Sequence, residues 1–386
     1  MHNRSNQYGI ENVIESVQVL LTLENIFCIF RYVPIKANNV KRLKVCGVIV
    51  STISVLFFML NVEFFESVGI DFYITTTLAP MLFLLQYVIT IIYFCFTRRN
   101  SLLHMLKLFT EIDKTLHILT IKDFYLKSSS ATMKLTFFFV LFHVLQILSY
   151  FYYEANVETI EFILAIAYIE RNLEIVLFCR FMYMIKMRLK IINDKISNYL
   201  KIGYQSFKKK KSFNVVLHLS KSTENPQIEI RKLACAYVKV GEIMRILNND
   251  FNFQLFMTLV SCFVVIVFST WGFFYCFWSG KCFVSFLNIF LWTATEIIVI
   301  CIVSFICENV LLVHKRTLEC LDRLVMDYEL CAKVRFQAKV FRAVINVWPL
   351  RIIVYDIYPI DFNLIINFVG LTTTSLIIVL QISHIL

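Results

Sequence analysis

The sequence predicts an all-α membrane protein that crosses the bilayer with seven transmembrane helices, its N-terminus cytosolic, its C-terminus extracellular and helical extensions on the cytosolic side. Three observations predict this. Of 386 residues, 59% are hydrophobic and 17% charged, and the mean hydropathy is +0.70, a balance outside the range of water-soluble domains. Long unbroken apolar runs recur along the chain. Because backbone polar groups cannot stay unpaired in hydrocarbon, such runs select helices, and the short alternating segments of a barrel are missing. The connections between runs also alternate sharply in charge, which sets orientation. The chain therefore reads as a single membrane domain, 1–386. It divides into a cytosolic N-terminal segment at 1–44, cytosolic helical extensions at 185–250 and 311–361, and a last span at 362–386.

The first apolar stretch, Val19 to Phe30, carries Glu24 and follows no basic segment, so a cleaved signal peptide is not expected. Spans follow near Val45 to Phe64, Phe72 to Phe96, Leu135 to Tyr153, Ile160 to Met184, Phe253 to Trp278, Phe283 to Val310 and Phe362 to Ile382. Arg31, Lys36, Lys41, Arg42 and Lys44 precede the first span, and the loop after it holds Glu66 and Asp71. Arg98, Arg99, Lys107, Lys114, Lys122 and Lys127 precede the third, and Glu154 and Glu158 follow it. Basic segments at Lys186 to Arg245 and Lys315 to Arg351 flank a short loop that holds only Lys281. Positive residues mark the cytosolic side, so the N-terminus is inside and the C-terminus outside. The glycosylation sequon Asn3-Arg4-Ser5 then falls in the cytosol and reads as chance.

The net charge of +11 lies between apolar spans, so it reports topology rather than a nucleic-acid partner. The run Lys208 to Lys211 reads as a solvated loop near anionic lipid headgroups. Leu318, Leu321, Val325 and Tyr328 fall at helical spacing, which extends the sixth span below the bilayer. Most of the 12 Cys, such as Cys95, Cys179, Cys262, Cys301 and Cys307, sit in apolar runs as small hydrophobes. Cys276 and Cys282 flank an external loop where oxidation is permitted, and the sequence leaves open whether they bond.

Catalytic signatures are missing. The chain has 8 Gly and neither GxGxxG nor GxxxxGK[ST], so no phosphate cradle forms. His104, His117, His143 and His314 show no metal-ligand spacing, and no GxSxG elbow appears. No enzyme activity, metal or cofactor is expected. His143, alone in an apolar helix, reads as an interhelical hydrogen bonder.

The last span carries more information. Asn363, Asn367, Thr374, Ile378, Gln381 and Ile385 recur on one helical face. A polar stripe on an apolar helix must face water or other helices. Periodicity alone allows both an aqueous path, with Gln381 near its outer end, and simple interhelical glue.

At Thr374-Ser375, five apolar residues and Gln381-Ile382, the sequence resembles the insect gustatory receptor family, whose last span ends Thr-Tyr, five apolar residues, Gln-Phe. The approach Pro349 to Asp361, ending Tyr358-Pro-Ile-Asp361, is similar too. Ser375 stands for the family Tyr and Ile382 for the Phe. The resemblance implies a ligand-gated, nonselective cation channel of four subunits, homomeric or heteromeric, in the plasma membrane of sensory neuron dendrites. Its central pore would be lined by one last span from each subunit, above a cytosolic anchor of packed helices. By position, Gln381 and Ile382 would form the outer gate, and Ile382 would preserve an apolar plug. No motif ties the chain to sugar or carbon dioxide, so a tastant receptor of bitter or orphan type is expected.

A small-molecule pocket in such a bundle needs an aromatic lining and a few polar groups. Gln146 and Tyr150 in the third span, Tyr168 and Arg171 in the fourth, and Trp292 and Glu296 in the sixth supply them, with Gln86 in the second as an addition. Glu170, Arg171 and Glu174 must pair or meet water, and Arg171 with Glu174 at i,i+3 is the expected pair. Tyr150 to Tyr153, Trp271 and Trp278 read as an interfacial belt. Rival readings are an odorant receptor subunit that needs a co-receptor, a G-protein-coupled receptor and a secondary transporter. Orientation disfavours the second, as does Asn225-Pro226 standing in a basic loop. The third lacks paired Gly- or Pro-broken spans.

Overall fold

A computed structural model of the chain describes residues 11–27, 29, 31, 45, 47–50, 52–53, 56, 81–93, 101–118, 122–153, 159–210, 226–278, 283–328 and 330–382. The described elements are α1 (Gln18–Ile26), α2 (Met81–Tyr93), α3 (Ser101–Thr115), α4 (Lys122–Tyr153), α5 (Thr159–Lys210), α6 (Pro226–Trp278), α7 (Phe283–Met326) and α8 (Ala332–Val347). The hairpin strands β1 (Ile353–Val354) and β2 (Tyr358–Pro359) and the helix α9 (Phe362–Ile382) follow. The first expected span and the near half of the second lie largely outside the described residues. So does Cys282, and of Cys276 only the backbone is described.

Four described helices are long and apolar enough to cross a bilayer: Phe124–Leu148, Pro226–Phe274, Ile289–Met326 and Phe362–Gln381. Helix α5 carries the fourth expected span, but Glu170, Arg171, Glu174 and Arg180 interrupt its apolar character. Those charges are buried: Arg171 and Glu174 are held in ion pairs, Arg180 donates to Ser128, and Glu170 has no hydrogen-bond partner among the described residues. The long helices run well past membrane thickness. At about 1.5 Å per residue a 50-residue helix spans about 75 Å, whereas hydrocarbon needs about 20 residues. Helix α6 starts with Pro226 at its first position and Glu229 in its first turn, as a free helix N-terminus favours.

The main core joins α3, α5, α6, α7 and α8 through residues such as Phe109, Phe178, Tyr237, Phe251, Leu321 and Phe341. It also takes in Val17, Leu20 and Leu21 from the N-terminal segment. Asp113 on α3 pins this region. Arg188 of α5 donates to both its oxygens at 2.8 and 2.6 Å, and Tyr125 of α4 donates at 2.5 Å. The helical character continues through Lys210, so Lys208 to Lys210 close α5 rather than standing in a loop. Helix α7 stops at Met326, and Tyr328 lies beyond it, 78% exposed beneath the Arg335 guanidinium. The expected helical face thus holds Leu318, Leu321 and Val325 but loses Tyr328.

The hairpin between α8 and α9 differs from the helical reading of that stretch. Val354 pairs Tyr358 and Ile353 pairs Pro359. The turn puts two non-glycine residues, Tyr355 (φ 49°) and Asp356 (φ 57°), in the left-handed region, a conformation that costs about 1 kcal/mol or more apiece unless neighbours hold it. Asp361 then starts α9, its Oδ1 accepting from the Asn363 N–H at 3.0 Å as an N-terminal cap does.

Candidate functional site

Two features stand out, one inside the bundle and one on its outside. Inside, Arg171 of α5 is fully buried and donates to Glu296 of α7 at 2.6 Å, to Ser261 of α6 at 3.0 Å and to the Asn172 side-chain oxygen at 3.0 Å. The Cys262 thiol donates to the other Glu296 oxygen at 2.9 Å. The guanidinium also lies over the rings of Phe83 and Tyr168, at 4.6 and 5.0 Å, the arrangement in which a desolvated cation gains most from an aromatic face. Three helices thus converge on one neutralised charge pair.

An aromatic layer adjoins it. Tyr168 meets Trp292 at 4.6 Å, Phe83 at 5.4 Å and His143 at 5.6 Å between ring centroids, and His143 meets Phe139 at 4.5 Å. Gln146 of α4 faces His143 and Tyr168. The structure therefore brings together Gln146, Tyr168, Arg171, Trp292 and Glu296. Gln86 is buried a little apart, donating to the Gln254 carbonyl and the Thr258 hydroxyl at 3.4 Å each. Tyr150 lies on α4, with its side chain outside the described residues.

The expected Arg171–Glu174 pair does not form. Glu174 instead accepts from Arg31, which also meets Glu24 at 3.3 Å and lies over the Phe251 ring at 4.5 Å. Arg31 comes from a segment 143 positions away and takes Glu174, which leaves Arg171 to Glu296 across the bundle. Glu170 is buried beside this second cluster, and neither of its oxygens has a hydrogen-bond partner among the described residues. Burial pushes the Glu24 carboxyl above its usual range against the pull of Arg31, and Glu174 adds to the rise.

Outside, α9 packs on α6 and α7 through Leu364, Ile365 and Phe368, with Phe368 meeting Phe263 at 6.2 Å. Only 11% of this helix is buried within the subunit. Asn363, Asn367, Thr374, Ile378 and Gln381 are all exposed. The polar stripe is thus turned away from its own bundle, apart from the contact of Asn367 with the hairpin. Ile382 ends α9, with its side chain outside the described residues. Thr374 returns its hydroxyl to the Gly370 carbonyl at 2.9 Å, which satisfies it locally and leaves its oxygen turned outward. The Asn367 amide donates to the Tyr358 hydroxyl from the hairpin.

Sequence reasoning missed Ser261, Cys262, Phe83 and Tyr358. The first three signal nothing without knowing which faces meet, and Tyr358 signals only as part of the stretch that leads into the last span. Among the described residues no group of three or more His, Cys, Asp or Glu comes together to hold a metal ion.

The bundle thus encloses an aromatic and ionic layer and leaves a polar-striped terminal helix facing outward. The family profile described as 7tm Chemosensory receptor matches residues 27–384, and the chain belongs to that family. Among solved structures, the insect olfactory receptor OR5 from Machilis hrabei has the same fold. It aligns at a TM-score of 0.65 and 12% identity, covering 95% of this chain and 100% of that one. The structure of the same receptor in complex with eugenol aligns at a TM-score of 0.52 and 14% identity, with the same coverage. No curated protein sequence matches the chain.

Proposed function

We propose that the chain is a gustatory receptor of bitter or orphan type, a subunit of a tastant-gated, nonselective cation channel in the plasma membrane of sensory neuron dendrites. The observation that carries this reading is the outward polar stripe of α9. Asn363, Asn367, Thr374 and Gln381 would face lipid in a solitary subunit, where each amide or hydroxyl costs free energy. Around a shared axis the same groups line water, and four subunits then enclose a cation path with Gln381 and Ile382 at its outer end. Helix α8 supports assembly below the membrane. Its Phe336, Val340, Ala343 and Val347 are exposed on the face opposite the buried Val334, Ala338, Phe341 and Ile345, an apolar stripe that a neighbouring subunit would cover.

In this reading the N-terminus is cytosolic, 185–250 and 311–361 belong to the cytosolic anchor, and the tastant enters beside Tyr168 and Trp292. Gln146 and Tyr150 would contribute polar groups, and Arg171 and Glu296 would form the polar floor. Eugenol, the ligand of the similar olfactory receptor, is a reasonable first compound for a screen. No catalytic role is assigned to any residue.

The test is a compound screen on the chain expressed alone, read as membrane current without added G protein. Gln381→Ala and Ile382→Ala should alter conductance, selectivity or gating of a current the wild type carries. If both leave all three unchanged, the pore assignment is wrong. The likeness to an olfactory receptor supports a second reading, an odorant receptor subunit. Current that appears only with a co-receptor would favour it.

A further inference from the structure

The hairpin between α8 and α9 is held by one face of α6. The Asn248 side chain donates to the Ile353 carbonyl and accepts from the Ile353 N–H, both at 3.1 Å. One turn later, the Asn252 side chain accepts from the Tyr355 N–H at 2.7 Å. A further turn on, Phe256 meets the Tyr355 ring edge to face at 5.5 Å. Residues 248, 252 and 256 are spaced i, i+4, i+8, so one helical stripe is committed to this contact. It grips the stretch where Tyr355 and Asp356 adopt left-handed backbone, which ordinary residues keep only when their surroundings impose it.

Both ends of this grip lead to functional features. The hairpin's Tyr358 accepts from Asn367 on the α9 stripe, and Asp361 caps α9 immediately after the hairpin. Further along α6, Ser261 and Cys262 contact Arg171 and Glu296. Nine residues separate Asn252 from Ser261, about 14 Å along a rigid helix. Cys262 also packs in the small cluster that includes Ile365 and Phe368 of α9.

From this arrangement we propose that Asn248 and Asn252 are positioning residues for gating: they fix the base of α9 to α6, so that a shift of α6 at the interior cluster moves the stripe-bearing helix with it. The proposal rests on the reading of α9 as the pore helix. The amides do not touch the ion path. They set the equilibrium between arrangements of α9 through the hairpin, as an interaction made unequally in two states must.

The test uses full-length protein in cell membranes, with sodium currents recorded from single channels without ligand and with whichever compound of the screen evokes current. Asn248→Ala removes two hydrogen bonds and Asn248→Asp retains the acceptor. With surface levels matched, Asn248→Ala should change open probability about tenfold and Asn248→Asp should change it less, in the same direction. Unit conductance should stay at the wild-type value in both, a split that a merely structural role would not produce. If the alanine variant fails to reach the surface, the aspartate variant decides. Unchanged open probability at normal surface level overturns the proposal, and so does loss of both variants from the membrane. A wild type that carries no sodium current either without ligand or with any compound of the screen refutes the pore reading itself and takes this proposal with it.

Discussion

The Arg171–Glu296 pair offers the sharpest energetic test. Both side chains have 0% exposure and the closest approach is 2.6 Å, so neither charge has water to fall back on. Removing one partner strands the other, a change that costs about 3–5 kcal/mol in buried pairs. Glu296→Gln keeps the volume and an acceptor, and Arg171 keeps Ser261 and Asn172 at 3.0 Å each. This variant belongs near the lower limit, about 3 kcal/mol, and Glu296→Leu near the upper, about 5 kcal/mol. Replacing both charges, as Arg171→Met with Glu296→Leu, lifts the desolvation penalty on each and should return stability to within about 1–2 kcal/mol of wild type. With Arg171→Met alone also costing about 3–5 kcal/mol, the coupling between the sites is then about 6 kcal/mol or more. The assay is unfolding of the purified full-length protein in mixed micelles with increasing sodium dodecyl sulfate, followed by tryptophan fluorescence. Trp292, its ring centroid 4.6 Å from that of Tyr168, reports from within the cluster. A double variant no more stable than the worse single variant would refute the pairing.

Other perturbations follow from the same geometry. Gly241→Ala should destabilise the packing of α6 against the stretch after α8, because a Cβ there meets Trp348 ring atoms at 2.7 and 2.8 Å. The strain, about 1–3 kcal/mol, exceeds the roughly 1 kcal/mol that alanine gains in helix propensity, and reduced surface expression with a lower melting temperature would register it. Asp113→Asn should cost about 3 kcal/mol by leaving Arg188 buried against a neutral partner. Arg188→Lys should not substitute for the native residue, since an ammonium cannot reproduce the two-pronged contact at 2.8 and 2.6 Å; melting temperatures of both variants check this. Glu24 has its folded carboxyl raised above 4.5, so the folded state binds more protons than the unfolded one from that value upward. Stability attributable to Glu24 therefore falls as pH rises through the window. Melting temperature measured across the acidic range should show that slope in the wild type, and Glu24→Gln should flatten it.

The sequence announced those features whose signal is local. Apolar run length gives α4, α6, α7 and α9, because spanning hydrocarbon demands the same length everywhere. The period of Asn363, Asn367, Thr374 and Gln381 places them on one face, and the structure adds that this face points outward. Long-range pairing was illegible. Glu174 lies at the right spacing to meet Arg171, yet Arg31, on a segment with no periodic signal, reaches it first. The hairpin was equally hidden. Its turn contains no glycine, and Tyr355 and Asp356 accept left-handed backbone because Asn248 and Asn252 on another helix hold it there. Ser261 and Cys262 look like ordinary small residues of an apolar helix until α5 and α7 close on them.

The central claim is that α9 turns its amides and hydroxyls toward water enclosed by several copies of the chain. An electron cryomicroscopy map of the full-length protein in lipid nanodiscs tests it most directly. The account requires Asn367, Thr374 and Gln381 of each subunit to converge on a central axis, with Ile365 and Phe368 turned back toward α6. A map in which that stripe meets acyl chains, or in which a single subunit closes around its own cavity, would contradict it.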